Sequence, residues 1–463
     1  MMEILQKWIQ FVREQRLFSP GNKILLGVSG GIDSVVMLDL FLRISHSWNL
    51  KLAVVHVNHH LRGRSADTDE QFVRNLARDF NLPFYGLKSD VKSYSKKNRL
   101  SIEAGAREVR FRFFDRMLKQ LGYDSVALAH HADDQAETVL MHLVQGSGLR
   151  GLRGMLPKRD RIIRSLLPIT RGEIEKYSIE RKLKFVVDKS NYETRHTRNK
   201  IRWDVLQPLK RRMGESVIRS ICHTASIVSE SESYLEFEVN KIRKHVIVSC
   251  SEQEIVLDID RFLHYFKTIQ KTLLIQIFEE FFHFTRNLRA HEFDRIINLA
   301  IYGKSGSYIE IGNHYRIART KKQLSLIRNI NGCPSIPVEI GLEILLPERH
   351  LKFHTEILNE KRSEISFINN KKVEYLDMSK IPSPLIVRSV KPGDWFVPLG
   401  MKGKKKLHDF FIDEKVPFYK RSSIPLLVGG DSIVWVMGHR LDERFKLDED
   451  TKKILKVEIK EIA

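Results

Sequence analysis

A strand-like run, a glycine-rich turn and a helix follow one another at residues 23–45. Lys23–Val28 reads KILLGV, Gly27–Ser34 reads GVSGGIDS, and a helical pattern covers about 34–45. The alternation continues. Strand-like runs lie at Lys51–Val57, Pro83–Leu87 and Ser125–Ala129, with helical patterns at about 68–79, 101–120 and 134–145. Continuous apolar strands separated by helices build a parallel sheet covered on both faces. Ligands of such sheets bind at the carboxyl ends of the strands. Chemistry is therefore sought just after Val28, Val57 and Ala129.

The 463 residues suggest about three domains at ~150 residues each. Residues 1–208 form the α/β part. From Glu215 to Val246, apolar residues recur mostly at spacings of three, four or seven, the signature of one face of a long helix. Phe262–Phe282 repeats the pattern through Phe266, Ile269, Leu273, Ile277 and Phe281. Alternation about Gly312-Asn313 reads as a hairpin with a two-residue turn. Residues 209–330 are thus expected to be mostly helical with a small β hairpin. Asn331–Pro337 reads as a linker, and 338–463, rich in β-branched runs and Pro/Gly turns, as a small α+β domain.

Lys and Arg number 78 against 57 Asp and Glu, a net charge of +21. So large a surplus favours a polyanionic partner, because phosphate contacts release counterions. Cys222, Cys250 and Cys333 are far apart and form no CxxC pair, which argues against a disulfide framework or a cysteine zinc site. The opening MMEILQKWIQFVREQ is charged throughout and reads as an amphipathic helix, not a signal peptide. No stretch has the ~18 apolar residues of a membrane span. A cytoplasmic protein with no membrane association is expected.

In the loop, glycines let backbone amides converge on an anion, and the helix N-terminus adds partial positive charge. Ser29, Gly30, Gly31, Ile32, Asp33 and Ser34 are the candidate phosphate-binding residues, with Asp33 a candidate Mg2+ ligand. The loop lacks the GK[ST] ending of a Walker A motif and the GxGxxG of dinucleotide binders. His56 opens HVNHHLRG at the end of the second strand. In EAGAREVRFRFF, Glu103, Arg107 and Arg110 share one helix face, as an ion-pair ladder or as a guanidinium contact for phosphate. In AHHADDQAET, Asp134 and Glu137 share a helix face. An N-cap and N3 capping box accounts for that pair, but not for His130, His131 and Asp133 beside it. The pair is also suited to Mg2+ or to the ammonium groups of an amino substrate. Six bases against one acid at 148–164 give +5, including Arg150 and Arg153. Seven against one at 195–212 give +6, including Arg195, Arg198 and Arg202. The segment 391–421 carries +4, with Lys404, Lys405 and Lys406 interleaved among aromatics.

SGGIDS closely resembles the signature of the PP-loop, or N-type ATP pyrophosphatase, superfamily. With HVNHHLRG, EAGAREVRFRFF, HHADDQAETVLMHLVQGSGLRGL and DKSNYETRHTRNKIR in that order, the chain resembles the tRNA(Ile)-lysidine synthetase family. The C-terminal RSVKPGD, KKKLHDFF and RSSIPLL resemble that family's last domain. The resemblance implies a parallel-sheet PP-loop ATPase domain followed by helical and C-terminal tRNA-recognition domains. It implies ligation of L-lysine to C2 of the wobble cytidine in the CAU anticodon of tRNA(Ile). ATP and Mg2+ would adenylate the cytidine, with release of pyrophosphate and then AMP. Asp33, Arg107, Arg110, Asp134 and Glu137 would be catalytic, with Ser29 to Ser34 and His56 on ATP. Asp134, Glu137, Arg198, Asn199 and Arg202 would hold lysine. Arg150, Arg153, Arg195 and Lys404 to Lys406 would contact tRNA. A homodimer is implied as well. Rival readings are a sulfur-transferring PP-loop enzyme, a small-molecule adenylating ligase and an inactive tRNA-binding protein. The cysteine pattern opposes the first. The basic clusters and the lack of a glutaminase-like segment oppose the second. The intact loop and carboxylate pair oppose the third.

Overall fold

The structure, a computed structural model, describes residues 2–58, 64–186, 197–251, 254–281, 290–312, 315–328, 335–346, 351–358, 371–422 and 424–461. The chain divides into two compact units, Met1–Phe237 and Glu238–Ala463.

The first unit is built on a six-stranded sheet. Its strands are β1 (Lys23–Gly27), β2 (Lys51–Asn58), β3 (Phe84–Lys88), β4 (Ser125–Leu128), β5 (Lys158–Arg159) and β6 (Ile162–Ile163), in the order β3-β2-β1-β4-β6-β5. All neighbours are parallel except β5 and β6. The helices are α1 (Met2–Glu14), α2 (Ile32–Ser45), α3 (Arg64–Asp79), α4 (Val91–Asn98), α5 (Ile102–Leu121), α6 (Ala132–Val144), α7 (Leu149–Leu152) and α8 (Arg171–Glu180). The expected strand–helix alternation is present, and α4 is an addition. One face of the sheet packs Ile24 and Leu26 with Val36, Leu40 and Phe41 of α2 and Trp8 of α1. The other packs Leu25, Ala53 and Val55 with Phe113, Phe114 and Leu118 of α5. Burial on both faces is why these strands are apolar without alternation. Gly27 is required where β1 meets β4, since a Cβ there would lie 2.9 Å from Leu128 Cδ2.

After α9 (Thr197–Lys200) comes a π-helical turn, Ile201–Leu206, then α10 (Gln207–Met213) and the long α11 (Ser216–Val246). The last matches the helix expected from Glu215 to Val246, and the unit division falls within it.

In the second unit, the expected helix at 262–282 is two helices, α12 (Ile259–Leu263) and α13 (Lys267–Glu280). Phe266, assigned to the apolar face, is 87% exposed at the N-cap of α13, so the break lies where the periodicity seemed continuous. The hairpin is larger than expected. Strands β7 (Ile247–Cys250), β8 (Glu254–Asp258), β9 (Tyr308–Ile311), β10 (Tyr315–Arg319) and β11 (Gln323–Arg328) form a sheet in the order β7-β8-β11-β10-β9. The β8–β11 pairing joins residues about 65 apart in sequence, which no local pattern announces. Tyr315 pairs with Ile311, so three residues separate the partners instead of two; Asn313 lies outside the described residues. The C-terminal part holds a five-stranded sheet (Ile336–Pro337, Leu385–Ser389, Pro425–Gly429, Ser432–Val436, Arg440–Leu441) and a four-stranded one (Glu343–Leu346, Leu351–Leu358, Val373–Asp377, Ile454–Glu461). Both contribute to one core around Phe353, Trp435 and Leu455. Short helices Leu407–Asp413 and Phe418–Arg421 complete the expected α+β character. Among the described residues, no helix is long and apolar enough to cross a membrane.

Two measurements follow from this packing. Trp8 is fully buried, with its ring edge-on to Phe41 at 5.1 Å, and its Nε1 has no hydrogen-bond partner. Trp8→Ala is expected to cost about 3–5 kcal/mol in denaturant unfolding, and Trp8→Phe well under half of that, because no hydrogen bond is lost. Glu374 has its carboxyl pushed up to about 7 by burial, which Arg440 offsets only in part. In the unfolded chain it ionises near 4.5, so stability falls as pH rises from 4.5 to 7 and is flat outside that window. Glu374→Gln is therefore expected to raise Tm at pH 8 and leave it unchanged at pH 4. An equal gain at both values would refute the assignment.

Candidate active site

Parallel pairing brings three loops to one edge of the first sheet. The loop after β1 turns through Gly30 at φ +92°, a conformation that favours glycine. The loop is fixed from within. Ser34 Oγ donates to the Gly31 carbonyl at 2.8 Å and accepts from the Ser29 N–H at 3.2 Å. Gly31 caps α2 in extended conformation without a side-chain bond, so the helix N-terminus behind the loop stays available to an anion. His56, at the end of β2, is buried with Nδ1 2.8 Å from the Val28 carbonyl. In this structure it braces the strand beneath the loop. The rest of its motif, His59 to Gly63, lies outside the described residues.

The loop after β4 supplies the acids. The capping box lies three residues earlier than expected. α6 begins at Ala132 with His131 at the N-cap, and Asp134 at N3 accepts the His131 N–H at 3.0 Å. Asp134 is thus the capping acid and not the cap. Glu137 lies a turn further on, free of any capping role. Capping chemistry favours Asp at either end, and the neighbouring histidine masked the true start.

Glu137 is 1% exposed and holds two arginines. Arg198 Nε donates to its Oε2 at 2.8 Å, and Arg202 donates to both of its oxygens. Arg198 Nη2 also donates to Asp134 Oδ1 at 2.8 Å. Arg202 belongs to the π-helical turn, and such turns recur at functional sites. The result is a neutral quartet of two carboxylates and two guanidiniums. Burial works to raise Asp134, but the charged His131 and Arg198, with the His131 N–H, hold its carboxyl below the usual range. Asn199 is half-buried on α9 in the same segment.

His131 is buried among Asp134 at 3.4 Å and Asp33 and Asp133 at 3.7 Å. Burial alone would lower its pKa. The three carboxylates outweigh burial and push it up to about 9, so the imidazole is charged. Asp133 in turn accepts from the Arg171 N–H at 2.8 Å and from Lys210 Nζ at 2.9 Å. Those contacts and His131 overcome its burial and hold it well below the carboxylate range. Arg171 also donates through Nη1 to Asp33 at 2.7 Å, tying the β1 loop to the start of α8. Neither Arg171 nor Lys210 was singled out from sequence. The Thr170–Glu173 capping box, readable as TRGE, marked the first; nothing local marked the second.

Arg107 and Arg110 of α5 lie toward the same edge, each over Phe111 at 4.8 and 5.6 Å. Burial, and then neighbouring cations including Arg198, lower both guanidinium pKa values. Two expected tRNA contacts, Arg150 and Arg153, face acids of α11 in this structure. Arg153 donates to Glu236 at 3.3 Å, and Arg150 lies 3.6 Å from Glu236. Arg195 lies outside the described residues. In the second unit, Lys404 Nζ stands 3.9 Å above the Trp395 ring, Lys405 pairs with Asp413, and Lys406 is exposed at the N-cap of the helix Leu407–Asp413.

A phosphate-ready loop, a carboxylate–arginine centre and the arginines of α5 thus share one edge of a parallel sheet. Residues 2–209 match the PP-loop domain family, and residues 385–459 match the TilS substrate C-terminal domain. The tRNA(Ile)-lysidine synthase of Caldanaerobacter subterraneus subsp. tengcongensis is 33% identical, over 98% of this chain and 97% of its own length. The same-named proteins of Clostridium tetani and Parabacteroides distasonis are 32% and 33% identical, over 97% and 96% of this chain and 96% and 97% of their own. Matches of this extent, added to the loop and its surroundings, establish that the chain belongs to the tRNA(Ile)-lysidine synthase family.

Proposed function

We propose that this chain joins L-lysine to C2 of the wobble cytidine in the CAU anticodon of tRNA(Ile), through an O2-adenylated cytidine. The cytidine O2 attacks the α-phosphorus of ATP, the α–β bridge breaks, and pyrophosphate leaves. The lysine ε-nitrogen then attacks C2, the C2–O2 bond breaks, and AMP leaves with that oxygen. The reaction belongs in the cytoplasm, where tRNA, ATP and lysine meet.

The observation that carries this reading is the quartet of Asp134, Glu137, Arg198 and Arg202 beside the loop. Lysine brings two ammonium groups and a carboxylate. Alternating carboxylates and guanidiniums suit such a molecule, with ammonium on Asp134 and Glu137 and carboxylate on the arginines. An ammonium at its reference pKa near ~10.4 is not nucleophilic, so a carboxylate must accept its proton. Asp134 stays ionised because of its cationic neighbours, which suits it to hold an ammonium, and either carboxylate of the pair could take the proton. The loop amides and serine hydroxyls hold the pyrophosphate portion of ATP. Arg107 and Arg110 offset charge that develops on the transferring phosphate.

Among the described residues, no three His, Cys, Asp or Glu groups converge to hold a metal by themselves. Mg2+ usually takes one or two carboxylates along with substrate phosphates, and Asp33 at the loop fits that part. When bound with ATP, the ion would neutralise phosphate charge.

Incubation with tRNA(Ile) transcript, ATP and labelled lysine is expected to put label into tRNA with one AMP released per lysine. Label without AMP, or AMP without label, would sink the adenylation mechanism. Glu137→Gln is expected to raise the lysine KM by about tenfold or more with little change for ATP. Arg202→Gln should narrow the preference for lysine over cadaverine, which lacks the carboxylate. Wild-type lysine parameters in both variants would refute the quartet as the lysine site.

A further inference from the structure

Arg164 follows directly on β6, at the same carboxyl edge as the β1 and β4 loops. It is 6% exposed. Its Nη1 donates to the Leu156 carbonyl at 2.9 Å, while its Nε is buried with no partner. Arg110 Nε and His130 Nδ1 are likewise buried and unpartnered. The three residues interact electrostatically with one another. Arg110, Arg107 and Arg159 act on Arg164, and Arg164 and Arg110 act on His130. Burial first, and then these cations, bring Arg164 down to about 10. Burial, with cations opposing Asp134, takes His130 down to about 3, so its ring is neutral. The acids that face the group are Glu103, toward Arg107, and Asp134, toward His130. Asp134 is already engaged by Arg198 and His131.

Buried cations set side by side with idle donors are costly. The cost is recovered when a ligand supplies several negative oxygens, and a guanidinium fork matches phosphate geometry. A neutral imidazole adds a hydrogen-bonding group without further repulsion. We infer that Arg164 and Arg110, with His130 beside them and Arg107 at the rim, form a second phosphate subsite next to the SGGIDS loop. Its ligand is a phosphate group of ATP or of the tRNA backbone. The inference rests on the ATP and tRNA reading above and adds Arg164 to the residues that touch substrate.

The test uses the full chain carrying Arg164→Gln or Arg110→Gln, with equilibrium binding measured in the absence of lysine. The probes are a non-hydrolysable ATP analogue and the tRNA(Ile) transcript over a range of salt, together with thermal melts. Each variant is expected to melt at or above the wild-type temperature, because one of several like charges is gone. Each should lose about tenfold or more in affinity for one ligand. If the phosphate is ATP's, the analogue Kd rises and the tRNA salt slope stays the same. If it belongs to tRNA, the tRNA Kd rises and the slope of log K against log salt falls by about one. Unchanged binding of both ligands in a variant that melts like wild type would overturn the subsite. Unfolding of both variants would overturn it too, since a packing role would then account for the arginines. A wild-type chain that binds both ligands but transfers no lysine would instead sink the functional reading and leave the subsite standing.

Discussion

Parallel pairing of β1 between β2 and β4 is the constraint on which the site depends. Gly27 lies opposite Val55 on one side and Leu128 on the other. That register ends β1 and β4 at one level, with β2 running three residues further, and sets the SGGIDS loop, His56 and the His130–His131 pair at one edge. The absence of a side chain at Gly27 lets β1 and β4 close up. A Cβ there would press on Leu128 Cδ2 at 2.9 Å and on the Ala127 carbonyl at 3.2 Å, where the two strands meet.

Electrostatics then divides this edge into two compartments. His130 and His131 are consecutive, yet one is pushed down to about 3 and the other up to about 9. The first is lowered by burial, with Arg164, Arg110 and Arg198 opposing Asp134, and the second is raised against its burial by Asp134, Asp133 and Asp33. A cationic pocket suited to phosphate oxygens thus abuts a centre where carboxylates and bases balance. In the reading proposed above, the former serves adenylation and the latter amine transfer.

Much of this was legible in the sequence because it is local. The SGGIDS loop, the strand–helix alternation and the long α11 are short-range patterns, and they stand where expected. The misplaced cap at Asp134 shows the limit of such patterns. Two acids three apart fit a capping box in more than one register, and only the backbone shows that His131 leads. Phe266 was lost for a similar reason, since its spacing was helical but its neighbours were absent. The other gaps are non-local. Arg198 and Arg202 reach Glu137 across more than sixty positions, Lys210 reaches Asp133 across 77, and Arg171 reaches Asp33 across 138. Composition placed a basic cluster at 195–212, which holds Arg198, Arg202 and Lys210, but could not assign acids to it, and it left Arg171 outside. The same blindness made Arg150 and Arg153 look free for tRNA while they face Glu236 of α11.

The π-helical turn at Ile201–Leu206 fits an extra residue into the helix that carries Arg198 and Arg202. Removing one residue between Trp203 and Leu206 would return the segment to α geometry. The flanking helices would keep their phase, because the wider turn had already absorbed the extra residue, and the change would fall on residues inside the turn, Arg202 among them. The Arg202 guanidinium would be re-aimed relative to Glu137 while the charge and hydrophobic pattern of the segment stayed nearly the same. Here the count of residues, and not only their identity, sets the aim of Arg202, which a scan made of substitutions alone would not test.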